Sequence, residues 1–263
     1  MLARQRQNTI LEMVADQGSV RVATLVRKFG VSDMTIRRDL EVLAAQGLIV
    51  KVHGGATSRD GSSTEEPGFV TKSGLQAAEK EAIARRAAAM VAPNSAIALS
   101  AGTTTWTLAR QLVDVPGLTV VTNSIPVADV FHQSGRSDQT VVIVGGVRTP
   151  SDALVGPVAV AALRSLNVDM LMLGVHGISP RVGFTTPNLL EAETNHALVR
   201  AARRLVVVAD HTKWGLIGIS TIAQLGDADT LIMDTGLPQE AREQLNEHIE
   251  ELVVVDPVDP ATA

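Results

Sequence analysis

"SDMTIRRDLEVLAAQGLIVKVHGGA", residues 32–56, opens on a helix-capping residue, continues with apolar positions at helical spacing, and closes in a strand-forming run that reaches two glycines. Ile36, Leu40 and Leu43 make one inward stripe, and Gly47 ends the helix that carries it. The Ser32 hydroxyl is placed to accept a free N–H of the first turn. With Ile36 turned inward, Met34 and Arg38 fall on the outward face, and Thr35 and Arg37 lie on its flanks. The run "LIVKVHGG" predicts a β-hairpin wing.

Upstream, Ile10, Leu11 and Val14 form a helical stripe that stops before Gly18, and Val22, Leu25, Val26 and Phe29 form a second, ended by Gly30. The turn "KFGVS" joins the second and third helices with a glycine. Helix, Gly turn, capped helix and hairpin in this order predict a winged helix-turn-helix. Residues 1–56 hold eight Lys/Arg against five Asp/Glu, a charge of +3, while the whole chain carries −5 and the remainder therefore −8. A basic head on an acidic body points to a polyanionic partner for the head alone. A recognition helix lays its first turns in the major groove, where Arg can grip guanine through two hydrogen bonds and Thr can touch a base edge or methyl. Arg38 and Thr35 are thus the expected base readers, with Met34 as an apolar neighbour. Arg37 faces phosphate, Lys51 and His53 add wing contacts, and Ser32 completes the DNA-binding set. Pairing of Arg37 and Arg38 with Asp33, Asp39 and Glu41 is the competing explanation. For an isolated pair of arginines it would be preferred; the ordered set of elements favours DNA.

Residues 57–74, "TSRDGSSTEEPGFVTKSG", are rich in Ser, Thr, Gly and charge without a sustained period. They read as a linker between a DNA-binding domain, 1–56, and an effector and oligomerisation domain, 75–263, although Phe69 and Val70 could dock on a neighbouring domain. Beyond a helix near 75–91 come six short apolar stretches, at 96–100, 118–122, 140–146, 170–175, 205–209 and 230–234, mostly separated by helical sequence. Apolar strands alternating with helices imply an α/β fold with a mostly parallel sheet covered on both faces. A length of 263 residues suits two unequal domains.

The chain contains no cysteine, which excludes disulfides and thiolate chemistry. It has neither a secretory leader pattern nor an uninterrupted apolar stretch of membrane-spanning length, so a cytoplasmic protein is expected. Aromatic residues are 2% of the chain and Tyr is absent, leaving few rings to stack on unpaired bases. No cluster of Cys, His and carboxylates has metal-ligand spacing, and no cofactor is expected.

In open α/β sheets ligands collect beyond the carboxyl ends of the strands. There Gly102 permits a tight turn, and Thr103, Thr104 and Thr105 bring hydroxyls and N–H groups to a helix start, a setting for phosphate. This is neither a P-loop, since no Lys follows, nor a dinucleotide fingerprint. Other strand ends supply Asn123, Gly145, His176, Asp210 and Lys213, and Glu191 lies early in a later helix. Singly, these are ordinary caps, a dipole complement or a hydrogen-bonded histidine. Their convergence predicts a pocket in which Lys and N–H groups hold phosphate while Glu, Asp and Asn hold hydroxyls.

"SDMTIRRDLEVLAAQGLIVKVHGGA" closely resembles the winged helix-turn-helix of the DeoR family of bacterial transcription regulators, whose pattern is a Ser-initiated helix with T-I-R-R-D-L, a Gly and an H-G-G-A wing. From about Glu79 onward, "EKEAIARRAA", "LSAGTTT", "VVTNS", "LVGP", "GVHGI", "EAET" and "ADHTKWG" resemble that family's effector domain, which is similar to ribose-5-phosphate isomerase. The resemblance implies a regulator that senses a phosphorylated sugar, with phosphate at Gly102 to Thr105 and Lys213 and with Glu191 near the sugar. Repression of carbohydrate genes, relieved by the sugar, is the expected function. Ser100 replaces the Asp usual before the turn, Lys51 replaces an Arg, and Asn195 and His196 stand where Lys or Arg is frequent. One wing-helix unit offers few contacts, so a homo-oligomer, dimer or tetramer, reading repeated half-sites is expected. An active sugar-phosphate isomerase with Glu191 as base is the alternative. His176 occupies the place of the D-G-A-D-E segment of those isomerases, which favours binding without turnover. A DNA-binding protein that takes no ligand is a third possibility.

Overall fold

The computed structural model describes residues 3–17, 19–45, 48–52, 54–58 and 68–257. The chain divides into two compact units, Met1–Ser63 and Thr64–Ala263.

The small unit runs α1 (Ala3–Gln17), β1 (Ser19–Arg21), α2 (Val22–Phe29), α3 (Asp33–Ala45), β2 (Ile49–Val52) and β3 (Gly55–Ser58). Ile10 and Val14 of α1, Leu25 of α2, and Ile36, Leu40 and Leu43 of α3 are fully buried together, so the three expected stripes meet in one core. Gly30 ends α2 at φ +64, a conformation that any side chain would strain, and this allows the turn into α3. β2 and β3 form the antiparallel hairpin, and β1, which the sequence pattern did not announce, adds a third strand on β3. A buried ion pair, Arg6 Nε to Asp39 Oδ2 at 2.5 Å, joins α1 to α3, and Gln7 Nε2 donates to the other carboxylate oxygen at 2.9 Å.

The large unit begins with α4 (Phe69–Ser73), α5 (Ala77–Ala88), β4 (Ala96–Leu99), α6 (Thr103–Leu112), β5 (Thr119–Thr122), α7 (Ile125–Ser134) and β6 (Thr140–Ile143). It continues through β7 (Val147–Arg148), β8 (Leu154–Val155), α8 (Pro157–Leu163), β9 (Met170–Gly174), β10 (Gly177–Ser179), β11 (Gly183–Thr186) and α9 (Leu189–Ala201). β12 (Leu205–Val208), β13 (Ser220–Ala223), β14 (Thr230–Asp234), α10 (Gln239–Asn246) and β15 (Glu251–Val255) complete it. Seven strands in the order β15-β14-β12-β9-β4-β5-β6 form one parallel sheet. Alternate residues enter two separate cores: Ile97 and Leu99 with Leu108 of α6 on one face, Ala98 and Leu171 with Leu198 of α9 on the other. Burial on both faces explains why these strands are apolar without alternation.

Three departures from the sequence expectation follow from short-range geometry. The stretch expected as linker starts with the last two residues of β3 and ends in α4, while 59–67 lie outside the described residues. β15 adds an edge strand to the six expected ones. The chain also forms a small antiparallel sheet, β10-β11-β13, and a two-stranded turn, β7-β8. Among the described residues no helix is long and apolar enough to cross a membrane.

Candidate nucleic-acid interface and anion cleft

Ser32 builds the start of α3: its Oγ accepts from Thr35 N at 3.1 Å and lies 2.8 Å from Thr35 Oγ1. It therefore positions the expected base reader and is itself engaged. Met34 is 76% exposed, Arg38 is exposed, and Ile36 is fully buried, so the outward face falls where helical periodicity puts it. The competing explanation divides residue by residue. Arg37 does pair with Asp33, through a short Nε contact and Nη2 to Oδ2 at 3.4 Å. Asp39 is turned inward to Arg6, and the Arg38 guanidinium makes no hydrogen bond or ion pair with another described residue. Lys51 Nζ sits 2.9 Å from Glu41 Oε1 and holds that carboxyl below its ordinary value. Exposed pairs of this kind are weak, so phosphate can replace the carboxylate. His53 lies outside the described residues.

In the large unit a cleft opens beyond the carboxyl ends of β4, β9 and β12. Gly102, Thr103 and Thr104 line it from the start of α6, His176 from the turn after β9, and Lys213 from the turn after β12. Gly102 has φ +153, which requires glycine, and its carbonyl accepts from Trp106 N and Thr105 Oγ1, each at 3.0 Å. The first-turn N–H groups of a ten-residue helix have no intrahelical acceptor, so they favour an anion. Lys72 also lines the cleft. Lys80, 4% exposed and close enough to feel Lys72, Lys213 and Asp210, is pushed down to about 8, chiefly by burial, with Asp210 opposing and the two lysines adding to the fall. Two ammonium groups, Lys72 and Lys213, thus line the cleft, and the charge of each reaches the buried Lys80.

Glu191 also lines the cleft. Asn188 caps α9 by accepting from Leu190 N (3.0 Å) and Glu191 N (3.2 Å), which fixes the backbone that carries the carboxylate. Glu191 Oε1 accepts from Thr149 Oγ1 at 2.9 Å and, more closely, from Ser151, and Oε2 accepts from Thr186 Oγ1 at 3.2 Å. Thr149 and Ser151 are themselves 2.8 Å apart. Two hydroxyl protons cannot serve three oxygen contacts, so when both donate to Glu191 the third is a bare contact. Hydroxyl donors thus hold the carboxylate in one orientation toward the cleft.

The other residues expected from the sequence do not line the cleft, and the polar ones among them have structural partners. Ser100, fully buried, accepts from Gly174 N at 2.9 Å; Asn123 accepts from Ala101 N at 2.9 Å and donates to Leu154 O at 3.3 Å. Thr105 is fully buried. Asp210 accepts from Thr212 N at 3.0 Å and so shapes the turn that presents Lys213. Gly145 (φ +75) and Gly146 form the turn into β7 and do not line the cleft. Beneath the same turn as Lys213, His211 Nδ1 lies 2.7 Å from the buried Asp234 carboxylate, which raises the histidine. Burial pushes Asp234 up, but the hydrogen bonds from His211 and Gly236 outweigh it and leave the carboxyl below its ordinary value. Sequence reading missed Lys72, Thr149, Ser151 and Thr186. Only the polar end "GFTTPN" ahead of Glu191 gave a signal, for Thr186.

Residues 6–61 match the DeoR-like helix-turn-helix domain, and residues 75–235 match the DeoR C terminal sensor domain. An uncharacterized HTH-type transcriptional regulator of Escherichia coli (strain K12), YgbI, is 39% identical over 246 residues, 93% of this chain and 95% of that protein. The glycerol-3-phosphate regulon repressor of the same strain is 31% identical over 249 residues, 94% of this chain and 97% of that protein. Among solved structures, ribose 5-phosphate isomerase A of Methanocaldococcus jannaschii is similar at 15% identity with a TM-score of 0.38, covering 51% of this chain and 53% of that one.

Proposed function

Because the chain belongs to the DeoR family of transcriptional regulators, we propose that it represses genes of carbohydrate metabolism in the cytoplasm and that a phosphorylated sugar in the cleft of its large unit relieves repression. The observation that carries this reading is the presence of both chemistries in the lining of one cleft. Backbone N–H groups at Thr103 and Thr104 with Lys213 suit a phosphate, and the hydroxyl-braced Glu191 suits the hydroxyls of a sugar. On the DNA side, Arg38 and Thr35 read base edges with Met34 beside them, Arg37 and Lys51 exchange their carboxylate partners for phosphates, and Ser32 holds Thr35 in place. Two or more copies of the chain read repeated half-sites.

Glu191 serves as an acceptor in this reading and not as a base. Its two oxygens receive three protein hydroxyls, which leaves a carboxylate lone-pair capacity for a hydroxyl of the sugar. The decisive experiment is a thermal-shift screen of pentose and hexose phosphates, followed by duplex binding with each hit. A ligand that stabilises the protein and weakens its DNA complex supports the reading. Steady isomer formation from ribose 5-phosphate, lost in Glu191→Gln, would make the chain an enzyme instead.

A further inference from the structure

A helix of five residues cannot hold itself, so the position of α4 is set by what ties it down. Its first residue donates Phe69 N to Pro150 O at 3.2 Å, and Pro150 stands between Thr149 and Ser151, the two hydroxyls on Glu191. The Phe69 ring meets Trp106 of α6 edge-on, with centroids 5.8 Å apart and planes at 85°. At the other end the buried Lys80 ammonium donates to Lys72 O at 2.7 Å and to Leu75 O at 2.5 Å. One tie ends beside Ser151, which lines the cleft, and another on Lys72 itself, which α4 places in the cleft wall. Toward the N-terminus the same chain continues through residues 59–67 to the DNA-reading unit.

We propose that Lys72 is a ligand-contacting residue of the cleft, a second ammonium on the anionic end of the ligand beside Lys213, and that α4 passes occupancy through it to the connecting chain. This rests on the sugar-phosphate reading of the cleft. Chemistry favours it because Lys72 and Lys213 line the same cleft, and an anion held by both offsets the charge that each brings to bear on buried Lys80. Mechanics favour it because α4 has few bonds of its own. A new charge-assisted contact at Lys72 is then felt at Phe69, one turn away, where the chain enters from the head.

Trp106 reports on α4 directly. The chain has two tryptophans, so Trp214→Phe in the full-length protein leaves Trp106 as the sole indole. Inorganic phosphate is titrated into this protein while Trp106 emission and the unfolding temperature are followed. The expected result is a saturable change in emission together with a rise in Tm. Adding Lys72→Met should weaken phosphate binding by about tenfold or more, the loss of one charged hydrogen bond. Adding Phe69→Leu should leave phosphate affinity within about threefold while the Trp106 response disappears, since the ring is no longer there to report or relay. Phosphate binding by Lys72→Met equal to that of the parent would overturn the assignment and leave the sugar-phosphate reading intact. Stabilisation of the parent by phosphate with a silent Trp106 would overturn the relay through α4. If neither phosphate nor any pentose or hexose phosphate stabilises the parent, the cleft reading falls and this inference falls with it.

Discussion

Arg38 and Asp39 are neighbours in "TIRRDL", yet one faces solvent and the other lies 4% exposed against Arg6. Their substitutions should fail in opposite ways. Arg38→Ala should cost about 1–3 kcal/mol of discrimination between an operator duplex and a scrambled one, by fluorescence anisotropy, with thermal unfolding unchanged. Asp39→Ala leaves a buried guanidinium without its partner and should destabilise the small unit by about 3–5 kcal/mol, seen in the full chain as lost amide-exchange protection in α1 and α3. Helical periodicity was enough to predict which way Met34 and Arg38 face. It could not predict that Asp39 reaches back 33 residues to Arg6, because nothing local marks a long-range partner. The His211–Asp234 pair adds a pH dependence whose sign follows from its two shifts. His211 sits above its ordinary 6.5, so its contribution is complete below that pH and is lost as pH rises through the folded value. Asp234 sits below its ordinary 3.8, so its contribution is present above that pH and is lost on acidification through the folded value. Stability from the pair is therefore greatest between 3.8 and 6.5. His211→Gln should flatten the decline in unfolding temperature that the parent shows as pH rises above 6.5, measured by calorimetry.

Among elements, those with a continuous apolar run were readable and those built by pairing were not. The strands at 96–99, 119–122, 170–174, 205–208 and 230–234 announce themselves because both faces are buried. β7, β8 and β10 are two or three residues long, too short for any period, although the β7-β8 turn carries the hydroxyls that brace Glu191. α4 was hidden for the same reason: five residues between glycines show no stripe, and so Lys72 read as part of a linker. Residue type at a strand end also does not say which way a polar group turns. Thr103 and Thr104 reach the cleft while Thr105, next in line, bonds back to Gly102. Ser100 and Asn123 likewise serve neighbouring backbone N–H groups. The β7-β8 turn can be tested alone. Gly146 has φ +121, and a Cβ there would meet Val155 O at 2.5 Å. Gly146→Ala should therefore cost about 1–3 kcal/mol in thermal unfolding and weaken sugar-phosphate binding by displacing Thr149 and Ser151, while operator affinity without ligand is retained.

On the scale of the whole molecule, residues 1–56, which include α3, carry +3 and the remainder −8, and the chain divides into two compact units. Each unit has its own buried core. Effector control then requires only that ligand occupancy in one unit change the free energy of DNA binding by the other, and such coupling is commonly about 1–3 kcal/mol. The most direct test is the dissociation constant for a duplex selected by the protein from a random pool, measured with and without saturating sugar phosphate for the parent and for Lys213→Met. The parent's constant should rise by about 5- to 150-fold and that of Lys213→Met should stay fixed. A parent constant unmoved by every pentose and hexose phosphate would contradict the account.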